Sequence, residues 1–149
     1  MSYGNQASRY KEAKILGSSP EQLVLLLYEH LLVSLRRATL QIQKRDIEGK
    51  ATSLQRASDI VFELLASLNF EAGGELASRL AALYGWFITE ITDVSRTLDR
   101  PRLERLIAIV GTLHDAWIQA AAQIQNGANG ANGAASTPGL PQAAEVRRP

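Results

Sequence analysis

The chain has 149 residues and no cysteine, with 16 basic and 15 acidic side chains and a net charge of +1. That length suits one domain with a core of its own, and the missing thiols exclude disulfide scaffolds, thiolate metal sites and cysteine nucleophiles. Removing the tail's Glu145, Arg147 and Arg148 leaves the rest neutral, without the clustered Lys and Arg that nucleic acid requires.

Residues 1–18 read as an irregular N-terminal arm carrying Tyr3, Tyr10, Ile15 and Leu16. The polar start lacks the basic, apolar, small-residue order of a secretory leader. The longest apolar run, Leu23 to Tyr28, falls far short of the ~20 residues that span a bilayer. A cytoplasmic protein without stable membrane insertion is expected.

The first helix signal is Ser19, a cap residue followed by Pro20 and, three residues after the cap, Gln22, the pattern of a capping box with proline in the first turn. Val24, Tyr28, Leu31, Leu35, Ala38 and Ile42 then recur in steps of four and three along one face. Asp46 marks a turn into a second helix with Ile47, Ala51, Leu54, Ser58, Val61, Leu65 and Leu68 on its stripe, Ser58 being the one polar interruption, and Gly73 and Gly74 are expected to stop it after Asn69.

Ala77, Leu80, Tyr84, Phe87, Ile91, Val94 and Leu98 define a third face. Asp99 as cap and Pro101 in the first turn open a fourth helix, striped by Leu103, Leu106, Val110, Leu113, Trp117, Ala120 and Ile124. Short connections force neighbours antiparallel. The expected fold is all-α, an antiparallel up-down-up-down four-helix bundle over residues 19–125. The Asn- and Gly-rich stretch from residue 126 to residue 149 has little to bury and reads as a disordered low-complexity tail.

Chemistry is sparse on these helices. A two-metal bundle needs Glu-x-x-His pairs, but Leu27 stands three residues before His30 and Gly111 three before His114. Glu29, Glu63, Glu90 and Glu104 are expected to face solvent. His114 and Asp115 are neighbours on a helix, ~100° apart, and do not orient one another as a triad would. The glycines match no phosphate-binding loop. No enzyme, metal or cofactor is expected.

The apolar residues exceed what a core needs. On a helical wheel Leu26, Val33 and Leu40 lie nearly opposite the first stripe, and Leu23 and Leu27 widen the apolar surface further. Trp86 falls ~130° from the centre of the third stripe, beside Arg79, Glu90 and Asp93, and Phe62 stands just off the second. A surface of this kind requires cover by the arm, a second copy of the chain, or an apolar segment of a partner.

With these elements placed, the chain resembles the flagellar secretion chaperone family, FliS. The resemblance rests on Tyr10 ten residues before Pro20, SSPEQLVLLLYEHLL at Ser18 to Leu32, the turn at Asp46, LNFEAGGELASRLAALYGWF at Leu68 to Phe87, and DAW at Asp115 to Trp117. It implies an antiparallel helical bundle that binds the disordered C-terminal segment of flagellin, prevents premature polymerisation, and hands the client to the cytoplasmic domain of the flagellar export gate. It further implies that the arm, through Tyr10, Ile15 and Leu16, caps part of the groove when the client is absent.

By position, Tyr10 matches the family's arm tyrosine, Leu27 and Tyr28 its first-helix pair, and Leu83, Tyr84, Trp86 and Phe87 its third-helix aromatic cluster. Gly85 departs from the family's Tyr-Asp-Tyr pattern. The expected client-binding residues are therefore Tyr10, Leu23, Leu26, Leu27, Val33, Leu40, Phe62, Leu83 and Trp86. The runner-up is a helical adaptor that forms a homodimer through the same surplus surface and has no flagellin client.

Overall fold

The computed structural model describes residues 19–129. Four helices are its elements: α1 Pro20–Gln43, α2 Ile47–Ala66, α3 Phe70–Thr97 and α4 Arg100–Asn129. The arm residues Tyr10, Ile15 and Leu16 lie outside the described residues, as does the chain beyond residue 129.

Each helix starts where a side chain meets its orphan N–H groups. At α1 the Ser19 hydroxyl accepts from the Gln22 N–H at 3.2 Å while the Gln22 side chain accepts from the Ser19 N–H at 3.2 Å, a closed capping box. Asp46 Oδ1 accepts from the Gly49 N–H at 2.9 Å to open α2, and a Cβ at Gly49 would collide with that carboxylate. Asp99 Oδ1 accepts from the Arg102 N–H at 3.1 Å at the head of α4.

The α2–α3 junction differs from the sequence expectation. Helix α2 ends at Ala66, with the Ser67 N–H turned back onto the Glu63, Leu64 and Leu65 carbonyls. Asn69 then caps α3, its side chain accepting from the Ala72 N–H at 3.0 Å. The two glycines therefore lie within α3 rather than stopping α2, and Gly74 alone interrupts it. Gly74 has φ 51° and ψ −127° within α3, a backbone region closed to residues with a Cβ. An asparagine offered as the last residue of one helix is equally good as the cap of the next, and periodicity alone does not separate the two.

At the other end α4 continues to Asn129, so Asn126 to Asn129 belong to the last helix and not to the tail. Nothing in their composition favours helix, but each added residue extends a helix already nucleated and packed, which costs far less than starting one.

Helix α1 packs most extensively on α2 and then on α4, α2 packs on α3, and α3–α4 is the least extensive of the four seams. The helices thus form a ring in which α1 and α3 stand diagonally opposite. The core between them comprises Tyr28, Leu31, Leu35, Leu54, Leu64, Tyr84, Phe87, Leu103, Leu106 and Val110, with their neighbours on the same stripes. Truncating one such Leu to Ala costs about 2–5 kcal/mol. Lys50, buried in the first turn of α2, donates through Nζ to the Ser95 carbonyl in the last turn of α3 at 2.9 Å. The ammonium there meets the negative end of the helix dipole and ties the antiparallel pair.

Two glycines of α3 give a test with opposite signs. Gly85 is exposed, helical and faces open space, so Gly85→Ala should stabilise by up to ~1 kcal/mol in chemical denaturation. Gly74→Ala should destabilise by about 1–3 kcal/mol, since its cost is backbone strain and not lack of room.

Candidate functional site

The centre of the molecule is aromatic and polar at once. The hydroxyls of Tyr28 on α1 and Tyr84 on α3 are buried and hydrogen-bonded to each other at 2.9 Å, joining the diagonal helices. Their rings meet edge to face at 6.5 Å between centroids, a favoured aromatic geometry. Burial raises both phenols above the ordinary tyrosine value, and for Tyr84, whose rise is large, the neighbouring Tyr28 adds to it. The pair is therefore neutral, each hydroxyl able to donate or accept.

Around Tyr28 lie Trp117, with ring centroids at 6.2 Å, and His114, stacked at 6.4 Å with only 8° between the planes. His114 Nε2 is buried without a hydrogen bond among the described residues, and the Glu29 carboxylate stands 4.0 Å away. The half-buried placement agrees with a histidine serving packing. No three of His, Asp or Glu gather in a metal-holding group among the described residues, and no described helix is long and apolar enough to cross a membrane.

Glu90 departs from the expectation of a solvated carboxylate. It is buried, and Arg102 donates to both of its oxygens at 2.7 Å through Nε and Nη2, while Nη2 also reaches Asp93 at 3.0 Å. A bidentate guanidinium is what makes such burial tolerable. The hydrogen bonds from Arg102 hold the Glu90 carboxyl below its ordinary value against the opposing pull of burial. This clamp fastens α3 to α4 beside their connecting turn.

The surplus apolar residues divide into separate patches. On α1, Val33 and Leu40 are 51% and 55% exposed and Leu26 is half-buried, all on the side turned away from the core. Because α3 is diagonal to α1, that face points away from Trp86, which is 40% exposed on the α4 flank of α3 together with half-buried Leu83. Phe62 is 55% exposed on α2, as is Ile47, 53% exposed, at the far end of the same helix. Leu23 is half-buried at the start of α1.

Leu27 needs correction as a surface residue. It is 4% exposed and belongs to the core, because its wheel position falls on the broad inner face shared with Leu31 and Leu35. Sequence reasoning also passed over Ile109 and Ile118, both exposed on α4. Ile109 occupies the flank that also carries Arg102, two turns further along. The antiparallel register set by Glu90 and Arg102 brings it level with Leu83, two turns back along α3. Leu83, Trp86 and Ile109 thereby border the α3–α4 seam, which is clamped at one end. Ile109 is a single residue beside a strong stripe, the kind of position a periodicity search discards.

The family model described as "Flagellar protein FliS" matches residues 3–124. The chain belongs to the FliS family. It is 32% identical over 107 residues to the flagellar secretion chaperone FliS of Escherichia coli K12, covering 71% of this chain and 79% of that protein. The corresponding chaperone of Salmonella typhimurium is 29% identical over 109 residues, covering 72% of this chain and 81% of the relative. That of Bacillus subtilis is 28% identical over 120 residues, covering 80% and 89%.

Membership makes this a non-enzymatic flagellar export chaperone. The tyrosine pair and the clamp are buried or half-buried, and the apolar patches are what the core of the described residues leaves exposed. The family match stops at residue 124, short of the last turn of α4.

Two sets of variants test the scaffold. Tyr28→Phe or Tyr84→Phe alone leaves a buried hydroxyl without its partner and should cost about 1–3 kcal/mol, whereas the double variant should cost less than the sum of the two. Urea denaturation of the three variants measures the coupling. For the clamp, a depressed carboxyl stabilises the folded chain above its unfolded value and loses that contribution as pH falls through the lower folded value. The stability gap between the unaltered chain and Glu90→Gln should therefore be full above about pH 4.5, the ordinary value, and close as pH falls below it.

Proposed function

We propose that this chain is the export chaperone of a flagellin, holding the C-terminal segment of that client in the cytoplasm, preventing premature polymerisation, and passing it to the cytoplasmic domain of the flagellar export gate. Membership of a family whose characterised members are named flagellar secretion chaperones supports the class. The observation that supports this kind of client is the distribution of the apolar patches: they lie on opposite sides of one rigid bundle, on α1 and along the α3–α4 seam. A compact partner touches one such face. An extended chain that wraps the bundle touches several, gaining affinity from anchors that are each modest.

On this reading Leu23, Leu26, Val33 and Leu40 receive one part of the client, Leu83 and Trp86 another, and Phe62 a contact between them. Leu27 supports this surface from beneath. The arm residues Tyr10, Ile15 and Leu16 cover part of the surface until the client displaces them, lowering apparent affinity in exchange for solubility.

Co-purification with a flagellin is the direct test. Binding should be retained by full-length flagellin and lost when its C-terminal segment is removed. Trp86→Ala and Leu40→Ala should each weaken binding of that segment by roughly tenfold or more in calorimetry without altering the helical spectrum. Retention of binding after removal of the segment would refute the assignment.

A further inference from the structure

Charge is unevenly divided along the bundle. With each helix split at its midpoint, the half that holds the α1–α2 and α3–α4 turns, residues 32–56 and 84–114, carries ten Lys and Arg against six Asp and Glu. The other half, residues 19–31, 57–83 and 115–129, carries one against seven. A near-neutral total thus conceals a basic end and an acidic end.

The two turns of the basic end are built alike. Arg45 and Leu98 both hold the left-handed backbone conformation, with φ 61° and 59°, where glycine is favoured and a Cβ is a cost. Neither side chain offsets that cost inside the bundle. Arg45 is exposed and has no carboxylate partner among the described residues, and Leu98 is exposed as well. Ile47, in the first turn of α2, is also exposed. Ile47 and Leu98 stand three residues nearer this end than Lys50 and Ser95, which are joined at 2.9 Å, so both aliphatic side chains belong to one rim.

Most acids of this end are engaged. Asp46 and Asp99 cap helices by accepting from the Gly49 and Arg102 N–H groups, Glu90 and Asp93 are held by Arg102, and Glu104 lies 3.9 Å from Arg100. Glu48 is the exception. Lys44 and Arg45 have no such counter-charge, and Arg96 and Arg100 flank the other turn.

We propose that this end docks on an anionic lipid surface, with Ile47 and Leu98 entering the headgroup region and Lys44, Arg45, Arg96 and Arg100 against the lipid phosphates. A negatively charged plane attracts the basic half and repels the acidic half, which orients the bundle end-on. An acidic peptide would use the basic side chains of the two turns but gain nothing from the opposite charge of the far end. Two aliphatic side chains are too few for stable insertion, and each basic residue adds a modest attraction that fades within a Debye length. The docking is therefore peripheral, reversible and salt-sensitive. It leaves the sides of the helices, with their apolar patches, clear of the lipid, and it does not rest on the identity of the client.

The test uses the full chain without any client, and vesicles of phosphatidylglycerol and phosphatidylcholine in equal parts. The chain should co-sediment with these vesicles at low ionic strength, release as salt rises, and stay in solution with phosphatidylcholine alone. The K44E/R45E double variant should bind roughly tenfold more weakly or worse. Leu98→Gly relieves the left-handed strain while removing the aliphatic anchor, so it should keep the helical spectrum and still lose several-fold in vesicle affinity. A purely structural role for Leu98 predicts a change in stability and none in binding.

The native chain has no cysteine, so single labels report the orientation. A polarity-sensitive fluorophore on exposed Thr97→Cys should shift to the blue with vesicles, whereas one on exposed Ser78→Cys, in the acidic half, should not. Absence of binding at low salt overturns the proposal, as does equal binding by the K44E/R45E variant or an equal shift at both labels. Capture of soluble polyglutamate without binding to vesicles assigns this end to an acidic protein segment and overturns it too.

Discussion

The hydrogen bond between Tyr28 and Tyr84 is the constraint on which the rest of this bundle depends. It connects the two helices that share no seam, α1 and α3, through the centre of the core. Two buried hydroxyls satisfy one another only if both rings are held in register. That fixes the rotation of both helices about their axes. Rotation in turn decides which residues are left outside, so the positions of Val33 and Leu40 on one side and Trp86 on the other follow from a polar contact that neither patch touches.

The fastenings around this centre are unevenly distributed. Lys50 ties the start of α2 to the end of α3, and Arg102 fastens α3 to α4 through Glu90 and Asp93, both near the same end of the bundle. The α3–α4 seam is the least extensive of the ring, and beyond Arg102 it is bordered by Leu83, Trp86 and Ile109. An export chaperone must hold its client firmly and still release it. A scaffold of buried hydrogen bonds carrying several unconnected apolar patches meets both needs, since each patch contributes modestly and can be vacated in turn. On the proposed function the client meets surface residues, while the buried aromatic cluster at Tyr28, Tyr84 and Trp117 belongs to the scaffold beneath them.

Most of the architecture was legible in the sequence because it rests on repetition. The stripes through Tyr28, Tyr84 and Val110 each recur over many turns, and the caps at Ser19 and Asp99 are local chemistry readable from a few residues; on α2 the expected stripe is displaced, since Ile47 and Ala51 are exposed and the buried face runs through Leu54, Ala57, Ile60, Val61 and Leu64. The exceptions are single decisions. Asn69 fits two roles, as the end of α2 or the cap of α3, and the backbone at Gly74 settles it. Leu27 widens the apolar surface on a wheel, yet a wide inner face absorbs it. Glu90 carries no sequence sign of burial because its guanidinium partner comes from the next helix, a tertiary fact without a sequence period. The exposed α1 patch, by contrast, was visible on a wheel, since a leucine opposite a core stripe has no structural duty within its own bundle.

The central claim is that an extended client engages opposite faces of one rigid bundle at the same time. Methyl NMR of the labelled chain, titrated with the C-terminal segment of flagellin, tests it most directly. The account predicts that the methyls of Val33 and Leu40 on α1 and those of Leu83 and Ile109 at the α3–α4 seam shift together with one midpoint, while core methyls such as Leu31 and Leu35 stay in place. Shifts confined to one face, or a core that rearranges as the segment binds, would contradict it.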